Sequence, residues 1–227
     1  MKEPVFKHTP YYEVLEALQK AKRCPLCEMR DRSNHRYFEN LLYENVNDPV
    51  IRKNLIRSGG FCARHARILL GFGDGLGVSI LYQDQLKLIL SMLKDVRSKC
   101  LSSLRRKVSS YIKSLDTCPA CSQENKNDEC RLHTLLNGIG ETEMKDAFEK
   151  SPGLCLFHLL QSLTFNKNAD TRQYLISLHE GKYSGLLSEL QEFIRKHDYR
   201  YSDKKMGKES DSWLRAVEMF CMNHSEL

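Results

Sequence analysis

Eight residues of this 227-residue chain have the types and spacing that hold a soft metal ion. Cys24-Pro25-Leu26-Cys27 is followed by Cys62-Ala63-Arg64-His65, and Cys118-Pro119-Ala120-Cys121 by Cys155-Leu156-Phe157-His158. Three thiolates and one imidazole complete a closed tetrahedral set of the kind that structural zinc takes. In Cys-Pro-x-Cys, two sulfurs flank a tight turn that the proline fixes, so both can meet one ion. Cys-x-x-His after a glycine stop falls in the first turn of a helix. Positions i and i+3 share a face there, and the exposed N–H groups favour thiolate. The expectation is two zinc ions, with Cys24, Cys27, Cys62 and His65 as one set and Cys118, Cys121, Cys155 and His158 as the other. An iron–sulfur cluster is the alternative cofactor, since the same donors can hold one. Dithiol redox cycling is a further alternative, although no βαβ pattern surrounds either Cys-Pro-x-Cys pair. A closed set leaves no open coordination position, which argues against hydrolytic zinc chemistry.

The elements that must position these donors form a repeat. The four ligand-type positions recur at offsets of 94, 94, 93 and 93 residues, and apolar positions obey the same frame: Leu41 and Leu42 match Leu135 and Leu136, while Ile51 and Leu55 match Met144 and Phe148. This is a tandem duplication. Apolar residues at Tyr12, Leu15 and Leu18 give a helical spacing that leads into the first Cys-Pro pair. Asp48-Pro49 starts a helix and Ser58-Gly59-Gly60 stops it; Glu141-Thr142 and Ser151-Pro152-Gly153 do the same in the second unit. Ser79 to Leu115 lacks Pro and Gly and steps its apolar residues by three or four, predicting a long amphipathic helix with room for one break. Thr171 to Arg200 predicts two helices hinged near Gly181. Strand signals are weak throughout, so the fold class is all-α, a duplicated helical unit with each copy stapled by a Cys3His site. The expected domains are residues 1–116 and 117–200 as the two zinc-binding repeats, then 201–227 as a loop and helix packed on them.

Composition excludes a disordered tail, a collagen-like chain and a coiled-coil rod, with 41% hydrophobic and 28% charged residues. No apolar run reaches the ~18 residues of a membrane span, and the N-terminus has no apolar signal core, so a cytoplasmic protein with no membrane association is expected. Nine cysteines in a reducing compartment suit metal binding better than disulfides. The net charge of +6 is uneven: residues 1–116 carry 21 Lys and Arg against 12 Asp and Glu, whereas residues 117–227 carry 14 against 17. Arg97, Lys99, Arg105, Arg106, Lys107 and Lys113 form an acid-free stripe that could meet nucleic acid. Aromatic residues are nearly absent from it, which favours a solvated or docking helix face.

After the second unit comes a tail, in which His197, Asp198, Tyr199 and Arg200 precede a last helix from about Asp211, with Trp213, Val217 and Phe220 as its apolar face. The cluster could bind an anion or relay a proton, but cations at a helix C-terminus explain it more simply. Cys100 takes an apolar position on the long helix, Cys130 and Cys221 have no motif partners, and His8, His35, His133, His179 and His224 are isolated. Together, the twin Cys-Pro-x-Cys…Gly-x-Cys-x-x-His units and the tail FIRKHDYRY…DSWLRAVEMF resemble an uncharacterised family of prokaryotic cytosolic proteins. The resemblance spans nearly the whole chain and implies origin and domain extent, with no activity attached. The residues favour a non-enzymatic zinc-binding helical protein that acts as an interaction or regulatory module with a protein partner. A redox protein and a nucleic-acid-binding protein are the alternatives. An enzyme using His197 and Asp198 has the least support, because no nucleophile, phosphate loop or cofactor fingerprint accompanies them.

Overall fold

The computed structural model describes residues 9–97, 101–113, 115–201 and 205–220, and every regular element among them is helical. The first repeat gives α1 (Thr9–Lys20), α2 (Pro25–Asn40), α3 (Pro49–Arg57), α4 (Ala63–Gly71), α5 (Gly75–Arg97) and α6 (Leu101–Lys113). The second gives α7 (Pro119–Gly138), α8 (Thr142–Lys150), α9 (Leu156–Phe165) and α10 (Ala169–Lys196), with α11 (Ser212–Met219) in the tail. The punctuation residues act as their chemistry dictates. Asp48 caps α3 by accepting from the Val50 and Ile51 amides at 2.7 and 3.3 Å, with Pro49 in the first helical position. Gly59, Gly60 and Gly153 adopt the left-handed φ values (+68°, +105° and +87°) that end α3 and prepare the turn before each Cys-x-x-His.

Two compact units result, and they do not follow the repeat boundary. One joins residues up to Arg30 with those from Asp128 onward; the other is Asp31–Asn127. In the first, Val14 and Leu18 of α1, Leu26 of α2, Leu135 of α7, Phe148 of α8 and Leu175 of α10 are among the buried core residues. In the second, the core gathers Phe38 of α2, Leu41 just beyond its end, Leu55 of α3, Leu69 of α4, Leu81 of α5 and Ala120 of α7. Each unit thus takes the Cys-Pro-x-Cys segment of one repeat and the body of the other.

Three local expectations change. The Cys-Pro-x-Cys pairs are not free-standing turns: α2 and α7 begin at Pro25 and Pro119, so each pair is itself a helix N-terminus. No hinge occurs at Gly181, because α10 runs unbroken from Ala169 to Lys196. Mid-helix glycine costs only about 1 kcal/mol, and α10 is anchored by buried Leu175 and His179. The long predicted helix divides into α5 and α6, and Cys100 lies outside the described residues, as does Cys221.

The tail helix differs too. Trp213, Val217 and Phe220 remain 49%, 62% and 65% exposed, while Ser212 and Glu209 are buried. Polar contacts hold this segment to α10. Arg215 pairs with Glu189 and with Asp211, and Lys196 meets the buried Glu209 at 2.6 Å. A salt bridge needs no apolar face, so the aromatic side stays turned to solvent.

The approach to Cys155 is fixed by α10. His179 accepts the Leu154 amide at Nε2 (2.9 Å) and donates from Nδ1 to the Leu175 carbonyl (2.8 Å). Burial holds this imidazole below its ordinary pKa, in keeping with a neutral ring that donates at one nitrogen and accepts at the other. Lys182 donates to the Glu149 and Ser151 carbonyls at 2.8 and 2.7 Å, and Tyr183 to the Leu154 carbonyl at 3.2 Å. A Cβ at Gly153 would lie 2.8 Å from Lys182 Cδ, on a backbone already at positive φ. Gly153→Ala should therefore lose about 1–3 kcal/mol of stability in urea unfolding. Gly181→Ala, where a Cβ meets nothing within 4 Å, should lose none.

Candidate metal centres

The eight sequence-predicted donors come together in two buried groups, but not in the expected sets. Cys24 and Cys27 meet Cys155 and His158; Cys62 and His65 meet Cys118 and Cys121. In each group one donor atom per residue lies within 4.8 Å of all the others. The expectation that each repeat closes its own set is overturned, because every set combines the Cys-Pro-x-Cys of one repeat with the Cys-x-x-His of the other. The path of the chain gives the physical reason. Helix α2 starts at Pro25 in one unit and ends at Asn40 in the other, and α7 starts at Pro119 in that second unit and ends at Gly138 in the first. Each long helix thus hands the chain from one unit to the other, so the Cys-Pro-x-Cys at its start and the Cys-x-x-His that follows it belong to different units.

Both motif types reduce to one local geometry. The carbonyls of Cys24, Cys62, Cys118 and Cys155 each accept the first helical hydrogen bond, from Glu28, Ala66, Ser122 and Leu159 at 3.1, 2.8, 3.0 and 2.9 Å. Each of these cysteines therefore stands at the cap of a helix, and its partner, Cys27, His65, Cys121 or His158, follows three residues on. Every group is the meeting of two helix N-termini, whose unpaired N–H groups and dipoles favour the thiolate charge.

In the first group Cys24, Cys27 and Cys155 Sγ lie 3.4, 3.4 and 3.2 Å from His158 Nδ1, and Cys27 Sγ lies 3.5 Å from Cys155 Sγ. In the second, Cys62, Cys118 and Cys121 Sγ are 3.4, 3.6 and 3.3 Å from His65 Nδ1, with Cys62 and Cys121 Sγ 3.6 Å apart. Zinc bonds of ~2.3 Å to sulfur and ~2.0–2.1 Å to nitrogen imply tetrahedral edges of roughly 3.8 Å for S···S and 3.6 Å for S···N. The donors therefore fit an ion of this kind with only small outward movement. All seven described cysteines are free thiols.

Carboxylates that the sequence reading did not single out stand behind the imidazoles. Glu124 Oε2 is 2.9 Å from His65 Nε2, and Asp128 Oδ2 is 3.8 Å from His158 Nε2; each thus faces the ring nitrogen turned away from the sulfurs. A carboxylate behind a ligating histidine fixes its tautomer and raises its basicity. Their signal was present in the sequence, since Glu124 and Asp128 follow Cys121 by three and seven residues on α7. Arg64 pairs with Glu124, while Arg30 reaches Cys27 Sγ at 3.7 Å and Asp128 at 3.8 Å.

The shared protons show the same crowding of charge. Burial would raise Cys118, but hydrogen bonds from His65 and nearby amides bring it down to about 6. Burial and the neighbouring Cys118 charge push Cys121 up to about 12. Burial opposes charge on His65, yet its bonds to Cys118 and Glu124 lift it to about 9. In the other group, bonds to Cys155 and Cys24 push Cys27 up, while Cys155 is lowered by bonds to Cys24 and Cys27. Burial resists charge on His158, but Asp128 and Cys155 raise it well above its ordinary range.

The other candidate residues are not drawn into a site. His197 Nδ1 is 2.9 Å from the Phe193 carbonyl, and Asp198 pairs with Arg200 at 2.6 Å. Tyr199 is 86% exposed. Of the basic stripe, Arg105, Arg106 and Lys113 are exposed on α6, and Lys99 lies outside the described residues. Cys130 is exposed. No helix among the described residues is long and apolar enough to cross a membrane.

No solved structure matches this chain. It is similar, at 29% identity over 201 residues, to an uncharacterized 23.9 kDa protein in the xynA 3′ region of Caldicellulosiruptor sp. (strain Rt8B.4). The alignment covers 88% of this chain and 95% of that relative. Matched over residues 1–226, the chain belongs to the family of unknown function DUF6062.

Proposed function

We propose that each Cys3His group holds one zinc ion as a structural centre, and that the chain is a non-enzymatic zinc-stapled helical protein working as an interaction or regulatory module. The observation that carries this reading is the closure of each set: four buried or half-buried donors converge at tetrahedral spacing, which leaves no position for a substrate. Zinc here would neutralise thiolate repulsion and lock two helix N-termini together; Cys24, Cys27, Cys155 and His158 would hold one ion, and Cys62, His65, Cys118 and Cys121 the other. Free thiols throughout the described residues suit a reducing, cytoplasmic setting. The interaction role is supported by apolar side chains left in solvent on α5, where Leu86, Leu90 and Leu93 are 64%, 55% and 57% exposed.

Metal analysis of protein purified without added metal should find about two zinc ions per chain and no visible chromophore; iron with absorbance near 400 nm would replace this reading with a cluster. Paired cysteine variants separate the crossed arrangement from the colinear one. Cys24→Ser with Cys155→Ser should leave one ion, and Cys24→Ser with Cys62→Ser should leave none. If each repeat closed its own set, the second pair would leave one ion and the first none.

Loading should also release protons. A ligating imidazole must be neutral and a ligating sulfur deprotonated. At pH 7, His65, raised to about 9, and Cys121, raised to about 12, still hold protons that the ion must displace. Affinity therefore rises with pH and is lost in acid. Titrating zinc into metal-free protein at pH 7 should give heats that depend on the buffer's ionisation enthalpy, with at least two protons leaving this site; buffer-independent heats would contradict it.

A further inference from the structure

A cavity of about 250 Å³ opens in the unit that contains α10 and α11. Its lining includes Cys24 and Cys155, so it abuts the first Cys3His group. Small-molecule sites typically span roughly 300–1,000 Å³, which places this one at the small end.

Three features of the lining point to the same ligand chemistry. The first is charge: Lys22, Arg23, Lys182 and Arg215 face only two carboxylates, Glu189 and Glu218. Arg215 is already paired with Glu189. Lys182 is held by the Glu149 and Ser151 carbonyls, and no ion pair with a carboxylate forms there among the described residues. Burial pushes this ammonium below its ordinary range, so the charge sits where water solvates it poorly.

The second feature is a bare helix face. Gly181 and Gly185 lie one turn apart on α10 and both line the cavity. Each weakens the helix relative to alanine. A Cβ at either position would meet no atom within 4 Å, so no other part of the described chain needs the missing side chains. Gly138 and Gly153 differ, since packed neighbours crowd both. What the two α10 glycines leave open is the cavity itself. The third feature is apolar wall: Pro152, Leu154, Leu186 and Met219 also line the cavity.

We propose that this cavity binds a small organic anion, its acidic group seated against Lys182 and the neighbouring cations and its apolar body laid on the Gly181–Gly185 face. The central contacts come from Lys182, the Gly181–Gly185 face and Met219, none of them a metal donor, so the proposal does not depend on which ion the neighbouring Cys24 and Cys155 hold.

Calorimetric titration of the full chain as purified, with its metal content measured alongside, tests the proposal using hexyl phosphate, hexanoate, inorganic phosphate and hexanol as probes. Hexyl phosphate or hexanoate should bind saturably with one site per chain, at least tenfold more tightly than phosphate or hexanol; the tighter of the two identifies the acidic group. Gly185→Leu should fill the cavity and weaken that binding at least tenfold. The substitution also improves helix propensity, so the variant should unfold no earlier than the parent, and lost binding could not be ascribed to misfolding. Lys182→Met should weaken the anionic probes and spare hexanol. Absence of saturable binding by both anionic amphiphiles up to millimolar concentration, or unchanged binding in Gly185→Leu, would overturn the proposal.

Discussion

The constraint on which the structure depends is the N-terminal end of an α-helix. Four cysteines, Cys24, Cys62, Cys118 and Cys155, occupy cap positions, and four second donors stand three residues later. A helix start offers unpaired N–H groups and a positive dipole end, both of which stabilise thiolate. Three thiolates in one buried pocket repel each other, and that repulsion is tolerable only with compensating positive charge. Two opposed helix starts supply part of it at each group, and a divalent ion would supply the rest. The placement of α2, α4, α7 and α9 follows from this requirement, because their N-termini have to face in pairs.

The duplication preserved the donors and let the surroundings diverge. In the 94-residue register Arg30 corresponds to Glu124 and Asn34 to Asp128. At the first group a guanidinium reaches Cys27 Sγ and Asp128 stands behind His158. At the second, Glu124 stands close behind His65, while Asn34, 4% exposed, keeps a buried Nδ2 with no hydrogen-bond partner among the described residues. An arginine on a thiolate draws electron density from the sulfur, whereas a carboxylate behind an imidazole feeds density toward the donor nitrogen. The two centres are therefore electronically distinct despite identical donor types. Identical ligand motifs in one chain do not imply equal metal affinity or equal thiol reactivity.

Much of this was legible in the residues. The all-α class followed from period-3.6 patterns and weak strand signals, and α3 was bracketed by Asp48-Pro49 and Ser58-Gly59-Gly60 because capping and left-handed φ are local properties. The eight donors were legible because two registered copies are hard to obtain by chance. Their pairing was not, since spacing along a chain does not reveal that α2 and α7 each begin in one compact unit and end in the other. The aromatic face of α11 misled for a related reason: amphipathicity shows that a face is apolar, not that this chain covers it. Glu124 and Asp128 were readable as helix neighbours of Cys121, but acidic residues on a helix usually face water, and only the tertiary approach of His65 and His158 distinguishes these two. His179 likewise looked isolated until the Leu154 amide arrived from 25 residues away.

Crossing the ligand sets has a modest entropic cost and a consequence for assembly order. The second group ties residues separated by 53 to 59 positions, while the first ties residues separated by up to 134. Loop-closure cost rises by only about 0.6 kcal/mol per doubling of loop length, so the longer closure costs roughly 1 kcal/mol more. Structural zinc in small modules contributes an apparent ~10–16 kcal/mol, which makes that penalty minor. The loops are nested, because Cys62 through Cys121 lies wholly between Cys27 and Cys155. Closure of the inner group, with its own core of Phe38, Leu55, Leu69 and Leu81, converts a long flexible connection into an ordered insert. Entropy thus favours inner before outer, and the chain that joins Cys27 to Cys155 is then shorter in effect than its sequence length. Colinear repeats would fold independently. Here the second unit can form from one continuous segment, while the first must wait for both ends of the chain.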